Sequence, residues 1–420
     1  MTAAADPQAL LLELLAPAVR ADPYPLFDRI REQGPLQMPD NNLTVFSSHA
    51  DCDVVLRHAS SSSDRLKSTV AQRMIAEGTP ARPFGPPGFL FLDPPDHTRL
   101  RRLVSKAFVP KVVKALEPDI VALVGGLLDA AAEQPAFDAI QGLAYPLPVA
   151  VICRLLGVPL EDEPQFSAAS ALLAQSLDPF VTVTGSAGEG LEERTKAAMW
   201  LRDYLRELIH RRRHDPGEDL MSALIEVEES GDQLTEDEIV STCNLLLIAG
   251  HETTVNLIAN ATLALLRDRT QWDRLAADPG RAAAVVEETL RYDPPVQLVG
   301  RIAADDMTIG RGDGGEGAGV TVPQGDNLLL LTAAANRDPA LAERPGEFDP
   351  DRETIRHLGF GKGPHFCLGA PLARLEATVA LTALTARFPA AELAAEPGYK
   401  PNVTLRGMSE LLVAPNVASR

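Results

Sequence analysis

The chain has 420 residues, 45% of them hydrophobic and 23% charged, the make-up of a globular protein and too apolar for a disordered one. With 39 basic against 58 acidic residues its formal net charge is −19, which argues against nucleic acid or an anionic membrane surface as general partners. Aromatic residues at 5% leave little for stacked-base recognition.

Cys52, Cys153, Cys243 and Cys367 are far apart and form no CxxC pair. A disulfide framework or zinc ribbon is therefore not indicated, and a reducing, cytoplasmic setting is. The apolar run 9–19 is broken by Glu13 and has no basic residue before it, unlike a signal peptide. No repeat or low-complexity linker divides the chain, so residues 1–420 read as one domain, with about 1–20 as an N-terminal extension.

The pattern is mainly helical. Residues 22–33 read as a helix opened by proline, 44–46 as a short strand and 50–58 as a helix. Residues 59–93, rich in Ser, Gly and Pro, read as a long loop. Its apolar members Met74, Ile75, Phe84, Leu90 and Phe91 favour a binding loop. Helices follow at 98–108, 118–133, 146–156, 166–177, 191–213 and 220–228, with 179–190 a mobile connection. Residues 304–309 and 319–322 read as a β-hairpin around a glycine-rich loop, 310–318.

Thr235 and Glu238 form a capping box. It opens a run, 239–266, in which Glu252 is the sole charged residue. At ~1.5 Å per residue this helix is roughly 42 Å long. Apolar residues on every face mean burial, and the polar residues threaded through it, Ser241 to Asn260, favour a globular core over a membrane span. Within it, Ala249-Gly250-His251-Glu252-Thr253-Thr254 places a small residue, a carboxylate and an alcohol in mid-helix, where they make room for a ligand and offer protons. A zinc-protease reading fails because Val255 stands where HExxH needs histidine.

The segment Phe360-Gly361-Lys362-Gly363-Pro364-His365-Phe366-Cys367-Leu368-Gly369 is a glycine-rich loop leading into a helix over 371–387. That position exposes Cys367 to free N–H groups and the helix dipole, which favour a thiolate. Cys153 and Cys243 read as core residues, and Cys52 as half-buried or on a helix surface.

FGKGPHFCLG resembles the heme-binding signature F-G-x-G-x-H-x-C-x-G of the heme-thiolate monooxygenases, the cytochrome P450 family. AGHETT resembles that family's oxygen-activating helix, and Glu288-Thr289-Leu290-Arg291 its E-x-x-R motif. Phe348-Asp349-Pro350-Asp351-Arg352 resembles the segment supplying a second arginine, and 93–101 a stretch of the bacterial soluble members. The resemblance extends from about residue 20 onward. It implies a mainly α triangular-prism fold with a small β-rich part, heme b as cofactor and Cys367 as iron ligand. His97, Arg101, Arg301 and His365 are implied as partners of the heme propionates, with Phe360, Gly361, Gly369 and Ala249 also against heme. It further implies a structural network of Glu288, Arg291 and Arg352, and Thr253 with Glu252 as the proton-delivery pair.

Helix geometry puts Ala249 and Thr253 on one face with Leu245 or Leu246 one turn earlier. Pro295, Val296, Leu298 and Val299 would line a pocket beside the heme, with the loop around Leu90 and the Phe180 region as lid. The substrate expected is apolar: a fatty acid, branched lipid or terpenoid, with a steroid or polyketide tailoring reaction as the alternative. A peroxide-using or rearranging enzyme and a non-catalytic heme sensor are the rivals, and Glu252 with Thr253 speaks for dioxygen activation. The sequence has no flavin or iron–sulfur motif, so electrons from NAD(P)H are expected through a ferredoxin and ferredoxin reductase. Residues 96–111 carry five basic residues to one acidic, and 352–374 four to one, a positive docking patch. A monomer is expected.

Overall fold

A computed structural model describes residues 6–82, 85–184, 190–229, 234–310 and 319–415. Its largest core is helical. Glu117–Ala132, Pro146–Leu156, Glu163–Ala174, Leu191–His214, Ala282–Tyr292 and Ala370–Arg387 surround the central helix Glu236–Arg267. The capping box is formed from both sides: Thr235 Oγ1 accepts from the Glu238 N–H at 3.3 Å, and Glu238 accepts from the Thr235 N–H at 2.9 Å. Among the described residues no helix is long and apolar enough to cross a membrane; on this one Asn260 donates to the Asp293 carbonyl at 3.0 Å inside the protein.

Gly250 has a packing reason. A Cβ there would lie 2.9 Å from Ile152 Cδ1, so the mid-helix glycine, which costs ~1 kcal/mol in propensity, lets Pro146–Leu156 cross closely. The room it makes is filled by Ile152, not by a ligand.

The β-rich part is a five-stranded sheet in the order Leu36–Met38, Leu43–Phe46, Asn327–Leu330, Val299–Ala303, Ser61–Ser62. The second and third pair in parallel, the rest antiparallel. Opposite Leu328 stands Arg301, which fixes the height of that side chain in the sheet. Met307–Ile309 and Val320–Val322 form the hairpin; Ala304 lies before its first strand, and its tip at 311–318 is outside the described residues.

Several expectations need correction. Residues 59–93 are not one loop: they contain strand Ser61–Ser62, helix Thr69–Ala76 and short 3-10 turns, and Phe84 lies outside the described residues. Phe180–Thr184 is helical, with 185–189 outside them. The supposed N-terminal extension contains helix Pro7–Leu15, whose Leu10, Leu11 and Leu14 are buried against the sheet. Arg20 secures it by donating to the carbonyls of Leu14, Leu15 and Pro401 at 2.8 Å each. Cys52 is fully buried, like Cys153 and Cys243.

Candidate heme site

The loop before Ala370–Arg387 is shaped by close approach. Gly363 has φ +69°, and a Cβ on it would come within 2.4 Å of the Leu56 carbonyl oxygen. Gly361, at φ +66°, turns the chain so that the Cys367 N–H donates to the Phe360 carbonyl at 2.8 Å. Around Gly369 a Cβ would meet nothing within 4 Å, so the loop presents open space beside the cysteine.

The Gly369 and Ala370 N–H groups act on the Cys367 sulfur, with Arg101 and Arg374 as nearby charges. All four favour a thiolate, yet burial dominates and holds the thiol above its ordinary value. The sequence expectation of an acidified thiol is thus met in direction by the helix terminus and outweighed by desolvation. A nearby metal cation would reverse the balance. Phe360 is buried, edge-on to Phe366 at 6.3 Å and under the Arg374 guanidinium at 4.6 Å.

Four chain segments bring together the expected propionate partners. His97 and Arg101 come from Asp96–Ser105, Arg301 from the sheet and His365 from the cysteine loop. The His97 and His365 rings lie 4.0 Å apart. Both His97 ring nitrogens and His365 Nδ1 are buried without a hydrogen-bond partner among the described residues. Burial, with Arg301, His97 and Arg101 nearby, depresses His365 to about 3. Burial likewise brings Arg301 down to about 10; among the described residues its side chain donates only to the adjoining Gly300 carbonyl, at 2.8 Å. Arg101 donates to the Phe366 carbonyl at 2.5 Å.

Two guanidiniums and two unpartnered imidazoles crowd one place. Buried charge of this kind calls for an anion. A group with two carboxylates fits it, and Arg offers such groups a planar fork.

The central helix supplies the other wall. Ala249 is exposed, and Leu245 and Thr253 are partly so, in a helix otherwise largely buried. Spacing of four places these three on one stripe. Leu246 belongs to the core; of the two leucines offered by the sequence, Leu245 is on the accessible stripe, under loop residue Gly88. Val296, Val299 and Leu90 are partly accessible, whereas Leu298 and Pro295 are buried. Thr253 Oγ1 donates to the Ala249 carbonyl at 2.9 Å. Glu252 turns elsewhere, accepting from Lys400 Nζ at 2.6 Å. Nothing in the sequence pairs residues 148 positions apart, and Lys400 was not anticipated.

Glu288 and Arg291 are buried and form a two-pronged pair at 2.7 and 2.8 Å. Arg352 Nε reaches the same carboxylate at 3.2 Å, and the Asp349 N–H donates to it at 2.8 Å. Arg291 also donates to the Pro345 and Glu347 carbonyls. The segment after the sheet is thereby strapped to the E-x-x-R helix.

Comparison with known proteins agrees with this geometry. The family model described as Cytochrome P450 matches residues 37–278 and 282–415. The chain belongs to the cytochrome P450 family. The crystal structure of Mycobacterium smegmatis CYP164A2 in its ligand-free state superposes with TM-score 0.92 and 67% identity, over 97% of this chain and all of that one. The Vitamin D(3) 25-hydroxylase of Pseudonocardia autotrophica is 38% identical over 93% of each protein. Myxobacterial CYP267B1 in complex with myristic acid aligns with TM-score 0.84 and 35% identity, over 96% of this chain and 98% of that one. As a member of this family the protein is a heme b-dependent monooxygenase, an oxidoreductase.

Among the described residues no group of three or more His, Cys, Asp and Glu could hold a metal ion.

Proposed function

We propose that this P450 hydroxylates an apolar, lipid-like substrate, with Cys367 as iron ligand and Arg101, Arg301, His97 and His365 holding the heme propionates. The observation that carries the assignment of residues is the unpartnered cluster beside the cysteine loop. Phe360, Gly361 and Gly369 shape the loop against the porphyrin, and Ala249 keeps the opposite wall thin. The heme, when bound, activates dioxygen with two electrons.

This chain's own residues exclude water, seat the substrate and deliver protons. Thr253 holds an ordered water by its hydroxyl, and Glu252 replenishes its proton. Leu245, Val296, Val299 and Leu90 are accessible and apolar, which favours a fatty acid, branched lipid or terpenoid; the neighbour bound to myristic acid supports the chain-like choice. The hydroxylase named for vitamin D(3) keeps a steroid-like substrate as the second reading.

Electrons come from a ferredoxin and its reductase, NAD(P)H being the source, in the cytoplasm and to a monomeric enzyme. The docking surface is smaller than the sequence count. Arg99 pairs with Glu238, Arg352 with Glu288 and Arg374 with Glu287. Arg102, Lys106, Lys111 and Lys114 remain exposed around Val109 and Val112.

Titration of the ferric enzyme with fatty acids, terpenoids, steroids and macrolides tests the substrate class. A low- to high-spin shift with chain-like lipids or terpenoids is expected, and a response to polycycles alone refutes it. Cys367→Ser, expected to lose the thiolate-type carbon monoxide difference spectrum, tests the ligand.

A further inference from the structure

The segments around the expected substrate pocket hold a cation that no carboxylate answers. Arg65 opens the short 3-10 turn Arg65–Lys67, which packs on the strand Val299–Ala303. Its guanidinium lies 4.6 Å from the centre of the Phe91 ring, in the turn Phe89–Phe91 that also carries Leu90. Arg65 Nη1 donates to the Ser176 carbonyl at 3.3 Å, in the turn Gln175–Leu177 just before the helix Phe180–Thr184. Arg65 thus stands between the two segments expected to form the lid, beside the strand that holds Val299.

The acids of these segments are engaged elsewhere. Asp64 caps its own turn, accepting from the Leu66 N–H at 3.0 Å. Asp93 accepts from the Ser63 N–H at 2.9 Å and from Lys67 Nζ at 2.8 Å, which also takes up the neighbouring lysine. Asp178 accepts from the Val403 and Thr404 N–H groups at 3.0 and 2.7 Å. Among the described residues the Ser176 carbonyl is the sole hydrogen-bond acceptor that the Arg65 side chain reaches, whereas a guanidinium carries five N–H donors.

A strut between two turns is a poor account of this residue. One long bond to a neutral carbonyl contributes little and leaves the charge unbalanced. The side chain keeps accessible surface, yet the protein around it desolvates it enough to lower its basicity, with no charged neighbour contributing. A side chain both accessible and desolvated borders a cavity enclosed by the protein. Phe91 covers one face of the planar fork. The free edges match a planar anion with two oxygens, a carboxylate, and Leu90, Phe91 and Val299 suit an alkyl chain attached to it.

We propose that Arg65 is a specificity-determining residue: it binds the carboxylate of a free long-chain fatty acid where the lid segments meet, with the chain running past Leu90 and Val299. The proposal rests on the lipid-like substrate read above and selects within it, favouring an acid over a neutral terpenoid, alcohol or ester. Held by its head, the chain offers methylenes remote from the carboxyl for oxidation.

The test is a ferric spin-state titration of the full-length, heme-loaded protein with myristic acid, its methyl ester and tetradecanol, in the parent, Arg65→Leu and Arg65→Lys. The parent should bind the acid more tightly than the ester or alcohol. Arg65→Leu should weaken the acid by about 10- to 100-fold, the worth of a hydrogen bond to a charged group, and leave ester and alcohol nearly unchanged. Arg65→Lys, which keeps the charge and loses the fork, should recover part of the difference. Heme content and the carbon monoxide difference spectrum should stay as in the parent; if Arg65→Leu folds poorly, Arg65→Gln replaces it. Equal weakening of all three ligands, or of none, overturns the anchor and leaves the lipid reading standing. Loss of heme in Arg65→Leu that Arg65→Lys restores also overturns it, because the guanidinium then serves a propionate. If no chain-like lipid with any of the three head groups shifts the parent's spin state, the lipid reading falls and the anchor with it.

Discussion

Two buried clusters of cationic side chains lie in this protein, and they differ in what answers their charge. In the first, Arg291 and Arg352 converge on Glu288, and every donor not on the carboxylate finds a backbone carbonyl. In the second, Arg301 and Arg101 stand among His97 and His365 with no carboxylate bonded to them among the described residues, and there both His97 ring nitrogens and His365 Nδ1 are left unpartnered. Asp93, the nearest acid, is spent on Ser62, Ser63 and Lys67. The first cluster is complete as a protein and serves the fold. The second becomes complete with a dianionic ligand and serves the cofactor. Burial alone does not separate structure from function; satisfaction of the buried groups does.

If that distinction holds, removing a charge has opposite consequences in the two places. Glu288→Ala strands two buried guanidiniums, and breaking a buried pair costs about 3–5 kcal/mol, a large part of a domain's stability. The expected result is near-complete loss of folded holoprotein; normal heme content in that variant would dismiss the structural role. Arg301→Leu removes a cation the apoprotein holds at a cost. Its apoprotein should be as stable as the parent or more so, while heme retention weakens by about 1.5–3 kcal/mol, the worth of a hydrogen bond to a charged group. Urea midpoints of apoprotein, set beside transfer of heme to a competing apoglobin, separate these effects.

Acid sharpens the same contrast. His365 is pushed down to about 3, and His97 and His251 are also lowered, mainly by burial. In each case the folded value lies below the unfolded one, near 6.5, so the unfolded chain binds protons first. Stability conferred by the neutral rings is full above that value and is lost as pH falls, for His365 down to about 3. The slope approaches about 1.4 kcal/mol per pH unit for each histidine. Carboxylates of bound heme beside His97 and His365 oppose the loss, so apoprotein should weaken between pH 6.5 and 4 more steeply than holoprotein. Equal slopes in denaturant titrations of the two forms would contradict the pairing of these histidines with heme.

The sequence revealed one of these clusters more readily than the other. Glu288 and Arg291 are three apart and could be paired by helix spacing, and the central helix was legible to within one residue at its C-terminal end because its cap and its unbroken apolarity are local signals. The helix Thr69–Ala76 was missed because it buries no residue, and without a buried face there is no periodicity to read. Choosing between Leu245 and Leu246 required the direction of the loop at Gly88. Lys400 was invisible because its bond to Glu252 depends on how a ribbon near the C-terminus docks on the central helix. Cys52, expected half-buried or on a helix surface, lies between Asp51 and Asp53 on the face of its helix turned to the sheet.

The smallest effect concerns cations that belong to neither cluster. Arg99, Arg352 and Arg374 sit in positively charged stretches of sequence, but each is consumed by a carboxylate, Glu287 so firmly by Arg374 and His357 that it is held at about 2. Among the cations with no ion pair among the described residues, Arg102, Lys106, Lys111 and Lys114 are exposed on and beside the helix Pro110–Ala115. Charges of this kind accelerate encounter with an acidic ferredoxin and are screened by salt, and they do not stabilise the fold. Lys106→Gln with Lys111→Gln should therefore leave heme content and unfolding unchanged. The rate of reduction by ferredoxin should fall several-fold at low ionic strength, and the difference should vanish by about 0.5 M salt, where the Debye length is a few ångströms. A pair of variants that lost heme instead would show that these lysines belong with the buried clusters after all; reduction insensitive to salt would remove the steering surface from this face.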